Sequence, residues 1–404
     1  METAIVLGYD GYIGHALTLR LLAKGYKVIG IDNYTRRKAV DEMGSISAIP
    51  ILSPTERSAH LQKLGEFIPF YIHLHLDYES LKNIFTIHKP SVIVNLAQQP
   101  SAPYSQISVD HAVHSAINNI ASTINVLWAM KEHAPDAQLV QIGTMGEYNP
   151  AIGVPIPEGT CDLALVDPGA ENKDGEKESD KVINKHVLKN VIFPRSGGSF
   201  YHTSKISATY FIEYACRVYN INATDIMQGV VYGNYTPEIL DTGLHTRCDS
   251  DEAFGTVVNR FIVQTVIEHP LTIYGEGDHK RGFLALNDSV QCLMLAIENS
   301  DYKGYRVWNQ LDSVHSMAEV ANMVLKAGKE KGYHGMKQYI ESPRVEVTSD
   351  FYYNPVVEKL KKLGFSPTRS IYDEALFTFD HIDRAIVGQL LKVVMPKILW
   401  RKRG

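Results

Sequence analysis

Tyr201 and Lys205 stand four residues apart in Tyr201-His202-Thr203-Ser204-Lys205, at the head of an apolar-periodic stretch. On a helix such a pair shares one face, so the ammonium can stabilise a phenolate beside it. A free Tyr titrates near about 10, and work as a base at neutrality asks for a drop of roughly 3 units, about 4 kcal/mol of differential electrostatics. One Lys and one further positive charge are enough to supply it. The spacing alone is common by chance, and its meaning comes from what lies upstream.

Upstream, Gly8-Tyr9-Asp10-Gly11-Tyr12-Ile13-Gly14 follows an apolar run and opens a helical one, the context in which a glycine-rich turn binds a dinucleotide. Gly8 allows the tight turn, Gly11 lets the backbone approach a pyrophosphate, and Gly14 permits close helix–sheet packing. The helix start then offers free N–H groups to the anion. Asp32 ends the second apolar run, where an acid bonds the adenosine ribose hydroxyls and would repel a 2′-phosphate. That favours NAD over NADP, although Arg36 and Arg37 follow closely. Asn33 and Arg36 are expected near the adenine or ribose. Asp77 is a candidate adenine contact or a helix N-cap. Of Asn118 and Asn119, Asn119 is expected to bridge helix backbone and cofactor, with Asn118 a buried amide. The expected cofactor set is Gly8, Asp10, Gly11, Tyr12, Ile13, Gly14, Asp32, Asn33, Arg36, Asp77 and Asn119, joined by Tyr201 and Lys205 at the nicotinamide.

The elements that must position these residues alternate. Apolar runs at Thr3–Leu7, Lys27–Asp32, Phe70–Leu76, Val92–Ala97, Leu139–Gly143 and Ala223–Gly229 predict strands, and Tyr12–Lys24, Glu79–His88, Val109–Glu132 and Ser204–Asn220 predict helices. The fold class is therefore α/β, a Rossmann-type doubly wound parallel sheet with a smaller mixed α/β substrate lobe. Residues 1–229 would form the NAD-binding domain. Residues 230–404 would form mainly the substrate lobe, interleaved with the end of the sheet through short strands near Leu271–Tyr274 and Tyr305–Asn309. The charged stretch 169–190 predicts an exposed insertion, a solvated loop or a mobile lid.

Composition narrows the class. Charged residues are 21% of 404 and the net charge is −5, giving no reason to expect nucleic acid. Four scattered Cys without paired spacing read as reduced thiols in a cytoplasmic protein. No apolar run approaches the ~18 residues of a membrane span. Strand residues begin by Thr3, which leaves no room for a signal peptide. His73 and His75 share a strand face, but no acid or Cys completes a metal set. The C-terminal run Leu390–Gly404, apolar then basic, is expected to dock on the protein.

Gly143-Thr144-Met145-Gly146-Glu147-Tyr148 ends the fifth strand, where open parallel sheets bind ligands, and Thr144 can hydrogen-bond a hydroxyl that Tyr201 deprotonates. Gly8–Gly14, Thr144 and Tyr201 with Lys205 together resemble the extended short-chain dehydrogenase/reductase family that acts on nucleotide sugars. The resemblance implies that a sugar C4 hydroxyl gives its proton to Tyr201 and its hydride to NAD. Family dehydratases carry Thr-Asp-Glu where this chain has Thr144-Met145-Gly146, so their acid–base pair is missing here. Ser101-Ala102-Pro103-Tyr104-Ser105, Gln228-Gly229-Val230-Val231-Tyr232-Gly233, Phe254-Gly255-Thr256, Asn259-Arg260-Phe261, Pro343-Arg344-Val345-Glu346 and Met395-Pro396 are similar to the family's sulfosugar-forming branch.

That resemblance implies UDP-glucose and sulfite, or a sulfite donor protein, as partners, and a homodimer. It also implies Glu147 or His202 for the C5/C6 proton transfers; His202 could equally be a packed helix-start residue. Ser101, Tyr104, Thr144, Gln228, Thr256, Asn259, Arg260, Arg281 and Arg344 would bind substrate, with Arg281 and Arg344 on the diphosphate. Two departures concern sulfite delivery. Gln98-Gln99-Pro100 stands where the branch has Glu-Gln-Arg, and the insertion at 169–190 is longer than usual. The alternatives on this scaffold are a UDP-glucose 4-epimerase, a 4,6-dehydratase, or a non-catalytic NAD-binding sensor.

Overall fold

Seven strands, the inner ones buried on both faces, form the central sheet of the computed structural model, which describes residues 2–148, 154–164, 187–300, 302–341, 354–394 and 398. They are β1 (Thr3–Leu7), β2 (Lys27–Asp32), β3 (Phe67–Tyr71), β4 (Val92–Asn95), β5 (Gln138–Thr144), β8 (Asn222–Gln228) and β12 (Tyr305–Gln310). Their order is β12-β8-β5-β4-β1-β2-β3 and every pairing is parallel. Helices α1 (Tyr12–Ala23), α2 (Thr35–Glu42), α3 (Pro54–Leu64), α4 (Tyr78–His88), α5 (Val109–His133) and α6 (Phe200–Tyr219) link these strands. Ile5, Leu7, Ile29 and Ile93 pack on one face of the sheet and Ala4, Val6, Val28 and Val94 on the other. Covering both faces is what makes such strands near-continuous apolar runs. The chain order reverses between β1 and β4, and at such a switch point the loops at the strand C-terminal ends part to leave a crevice.

The second lobe is mixed, as expected. Strands β9 (Val230–Tyr232), β11 (Lys280–Ala285) and β13 (Ser313–Ser316) form one small sheet, and β10 (Leu271–Tyr274) pairs with β14 (Lys337–Ile340) in another. Helices α7 (Pro237–Thr242), α8 (Val257–Val266), α9 (Leu286–Glu298) and α10 (Met317–Glu330) accompany them. Val258, Phe261, Phe283, Val320 and Val324 centre the lobe's own core. β6 (Thr160–Ala164) and β7 (Val187–Ile192) pair antiparallel as a separate ribbon.

Three differences from the sequence reading have local causes. β3 starts and stops earlier than expected because its partner β2 ends at Asp32, opposite Tyr71; Ile72 and Leu74 beyond it turn into the crevice. α2 buries only Ala39 and Val40 and so shows no apolar stripe. α3 carries a capping box from Ser53 to Glu56 with Pro54 in its first turn, a start signal that the strand-to-strand reading passed over. Most of the charged stretch 169–190 lies outside the described residues, and its last four residues open β7. Arg344, its motif 343–346 and the pair 395–396 also lie outside them.

Candidate active site

The crevice is a cavity of about 770 Å³ between the sheet ends and the small lobe. Gly8, Gly11, Tyr12, Ile13 and Gly14 line one end. Gly8 has φ +86°, and a Cβ there would lie 2.8 Å from the Leu96 carbonyl. A Cβ on Gly14 would lie 2.0 Å from the Gly8 oxygen. Neither position accepts a side chain. Gly11 caps α1 without a side-chain bond, so the first-turn N–H groups remain available to an anion.

Asp32, Asn33 and Arg36 line the cavity beside this loop. The Asp32 carboxylate accepts from the backbone N–H of Asp10 at 2.9 Å and of Tyr34 at 2.8 Å. Burial and the nearby Asp10 charge push its carboxyl up to about 6. Asp10 itself does not reach the cavity. It is 3% exposed and accepts bidentately from Arg37 at 2.6 and 2.8 Å and from Arg57 at 2.8 Å. Arg36 reaches the cavity while its guanidinium pairs with Asp249 at 2.6 Å. Asp77 caps α4 through Ser80 N–H at 3.0 Å and stays outside the cavity. The two asparagines exchange their expected places. Asn118 lines the cavity, and Asn119 is buried, bonding both backbone groups of Gln99 and the Ser204 hydroxyl.

Across the cavity, β5 and α6 bring Thr144, Tyr201, His202 and Lys205 together. Ser199 caps α6, accepting from His202 N–H at 3.2 Å and holding its ring through Nδ1 at 2.9 Å. Thr144 is fixed by the short turn Met145–Glu147. Its N–H donates to Glu147 Oε1 at 3.0 Å, its hydroxyl accepts from Gly146 N–H at 3.2 Å, and that hydroxyl also bonds the Tyr201 phenol. Lys205 donates to the Gln98 side-chain oxygen and the Ile142 carbonyl. Burial brings its ammonium down to about 8. Burial and the Glu147 charge instead push the Tyr201 phenol above its usual range, against the Thr144 hydrogen bond. The protein on its own therefore keeps Tyr201 protonated, and the drop foreseen from the sequence needs a further positive charge.

Glu147 is not in the cavity. Its carboxylate is fully buried, paired with Arg195, and within 3.2 Å of the Thr209 hydroxyl. A carboxylate removed from water is retained only where such partners meet it, and these hold it behind the wall formed by Thr144. The turn also brings Gly146 against His202: a Cβ at 146 would sit 2.4 Å from His202 Nε2. The imidazole thus occupies the space in which a side chain at 146 would stand.

Residues 4–169 and 190–309 match the NAD dependent epimerase/dehydratase family. The chain belongs to that family. It is 40% identical to the UDP-sulfoquinovose synthase of Sulfolobus acidocaldarius, over 98% of this chain and 97% of that one. It is 37% identical to the chloroplastic UDP-sulfoquinovose synthase of Spinacia oleracea, over 100% of this chain and 80% of that one. The fold is shared with UDP-glucose 4-epimerase from Bifidobacterium longum solved with NAD+ and UDP, at a TM-score of 0.66, 17% identity and coverage of 94% and 97%. It is also shared with UDP-glucose 4-epimerase from Thermotoga maritima solved with UDP-glucose, at 0.65, 19%, 94% and 98%.

In this epimerase/dehydratase chain Ser101, Tyr104, Gln228, Thr256 and Arg281 also line the cavity. The Ser101 hydroxyl is engaged by Ala253 O and the Tyr104 hydroxyl by Glu42 at 2.8 Å. Gln228 Nε2 bonds Ser289 and Gln310 at 3.0 and 2.7 Å. Thr256 Oγ1 and Asn259 Oδ1 are buried with no hydrogen-bond partner among the described residues, and Thr256 faces the cavity. Asn259 and Arg260 lie behind the wall; Arg260 donates to the Tyr274 hydroxyl at 3.2 Å inside the lobe. Arg195 is the residue that sequence reasoning missed. The sign available for it was a lone cation in Pro194-Arg195-Ser196-Gly197-Gly198, directly before α6.

Proposed function

We propose that the protein joins sulfite to UDP-glucose, giving UDP-sulfoquinovose and water, with NAD retained and recycled. Full-length likeness to two curated UDP-sulfoquinovose synthases supports the overall reaction. The observation that carries it on this chain is the His202 imidazole filling the space over Gly146. A 4,6-dehydratase of the usual kind would need an acid side chain there, and this site substitutes a group held by α6.

The glycine cradle and the open N-terminus of α1 fit a dinucleotide pyrophosphate, and Asp32 fits the adenosine ribose hydroxyls. NAD when bound supplies the hydride acceptor and a positive charge. Tyr201 takes the C4 hydroxyl proton, Thr144 orients that hydroxyl, and Lys205 stabilises the phenolate. With C4 oxidised, the C5 hydrogen becomes acidic. His202 removes it and returns it to the departing C6 hydroxyl as water. Sulfite then bonds to C6, a proton returns to C5, and reduction at C4 with the proton from Tyr201 closes the cycle. Thr256, Gln228 and Arg281 hold the UDP end, with Arg344 a second diphosphate contact. Glu147 acts through Thr144, and neither Asp10 nor Arg260 touches a ligand.

The protein works as a homodimer in the cytoplasm. Adjacent helices α5 and α6 expose Val109, Val113, Ile117 and Trp128 beside Tyr210, Tyr214 and Val218, a paired apolar face suited to a second copy. No helix among the described residues is long and apolar enough to cross a membrane.

Mass spectrometry of the purified protein incubated with UDP-glucose, with and without sulfite, tests the proposal. A sulfite-dependent UDP-sugar sulfonate is expected. UDP-galactose or a 4-keto-6-deoxy sugar formed without sulfite uptake overturns it.

A further inference from the structure

The two arginines that follow Asp32 are the groups a 2′-phosphate would seek, and each is already held by a buried acid. Arg36 lines the cavity beside Asp32 and Asn33. Its guanidinium reaches Asp249 at 2.6 and 3.2 Å and the Phe254 carbonyl at 3.4 Å, and lies 4.0 Å above the Phe254 ring. Asp249 comes from the small lobe, is 3% exposed, and also accepts from Arg247 at 2.7 Å. Arg37 turns the other way, to Asp10 at 2.6 and 2.8 Å and the Leu52 carbonyl at 2.9 Å. Both guanidiniums thus have their Nε and Nη2 donors turned onto carboxylates, the edge that a phosphate would otherwise claim.

We infer that Asp249 and Asp10 are specificity-determining residues for the cofactor: by withholding Arg36 and Arg37 from the adenosine ribose they exclude the 2′-phosphorylated dinucleotide, a task shared with the negative charge of Asp32. Asp249 is 213 residues from Arg36 in sequence, so the choice of cofactor depends on the small lobe as well as on the dinucleotide-binding strands. The inference rests on reading the Gly8–Gly14 loop as an NAD site, which NAD titration of the unaltered chain tests by itself.

The experiment compares NAD and NADP dissociation constants, by isothermal titration of the full chain, for the wild type, Asp32→Ser, Asp249→Asn and the double variant. Asp32→Ser alone should weaken NAD binding and leave NADP within a few-fold of wild type, because the arginines stay held. Adding Asp249→Asn should tighten NADP by about tenfold or more, the scale of one charge-assisted hydrogen bond. That gain should shrink with salt and disappear with Arg36→Leu. Equal NADP affinity for Asp32→Ser and the double variant overturns the inference, as does an NADP site created by Asp32→Ser alone. A parallel loss of both cofactors in Asp249→Asn also overturns it, since a merely structural carboxylate would behave so. Should Asp249→Asn fail to fold, the same comparison with Asp10→Asn, which releases Arg37, decides by the same outcomes, with Arg37→Leu taking the place of Arg36→Leu.

Discussion

His202 and Gly146 exclude one another's side chains: a Cβ at 146 would lie 2.4 Å from the imidazole Nε2 and 2.7 Å from Cδ2. Ser199 holds the other ring nitrogen, so the ring has little freedom to yield. Gly146→Ala should therefore displace the imidazole while leaving Thr144 and Tyr201 in place. The expected result is a loss of turnover of roughly 10²-fold or more, the usual contribution of a positioned acid–base group. Reduction of bound cofactor by UDP-glucose, followed by absorbance in a single turnover, should survive. If that first step is lost equally, the imidazole is not confined to the C5/C6 chemistry.

Tyr201→Phe removes the phenol and leaves the cavity wall. NAD affinity should change by less than about threefold, because the pyrophosphate cradle is made by backbone from Gly8 to Gly14. Turnover should fall by about 10²-fold or more. Persistent turnover would move the base to another residue.

Glu147 and Arg195 form a pair in which both side chains are shut off from water, at 0% and 1% exposure. Breaking such a pair from one side leaves an uncompensated buried charge, at a cost of about 3–5 kcal/mol. Arg195→Met should thus lower stability by that order in urea melts, and Arg195→Met with Glu147→Leu should recover much of the loss. Turnover should not recover in the double variant, since Glu147 also fixes the Thr144 N–H. A double variant as active as the wild type would remove Glu147 from any part in holding Thr144.

Much of this was legible beforehand, for reasons that differ by residue. β1, β2, β4, β5 and β8 are buried on both faces and read as apolar runs. The glycine loop, Thr144 and the Tyr201–Lys205 pair are local patterns whose spacing carries the geometry. What escaped depends on partners far along the chain. Glu147 looked available because Arg195, 48 residues later, carries no mark of its destination. Asp10 looked like a cofactor contact because its loop reads as one, yet Arg37 and Arg57 draw it into the interior. Asn118 and Asn119 are neighbours on one helix, and which of them faces the cavity depends on a helical phase that an all-amide pair cannot reveal.

Asp32 provides a pH dependence for cofactor binding. Its carboxyl is pushed up to about 6 by burial and by Asp10, and its ionised form is the better acceptor for ribose hydroxyls. As pH falls through 6 the protonated fraction grows, so NAD affinity should drop several-fold between about pH 7.5 and 5, a window that the value of 6 places below neutrality. Asp32→Asn should bind NAD more weakly and with a flatter profile over that range. An identical slope in the variant would assign the titration to another group.

Lys205 carries a cost in the unliganded protein that its proposed task explains. Burial brings its ammonium from 10.5 down to about 8, so the folded state disfavours the charged form that the unfolded chain keeps. Below pH 8 both states are protonated and the full penalty is present; between about 8 and 10.5 the unfolded chain binds more protons, so stability rises with pH. Lys205→Met removes the charge. At pH 7 it should raise the stability of the cofactor-free protein by up to about 3 kcal/mol, less whatever is lost when Gln98 and the Ile142 carbonyl give up their donor. That advantage should shrink as pH climbs past 8, while turnover falls by about 10²-fold or more at every pH for want of a cation beside Tyr201. Thermal melts at pH 7 and 9.5 check the sign. A variant less stable at pH 7 than at 9.5, relative to wild type, would show that the ammonium stabilises the empty fold and is not held there at a loss for catalysis.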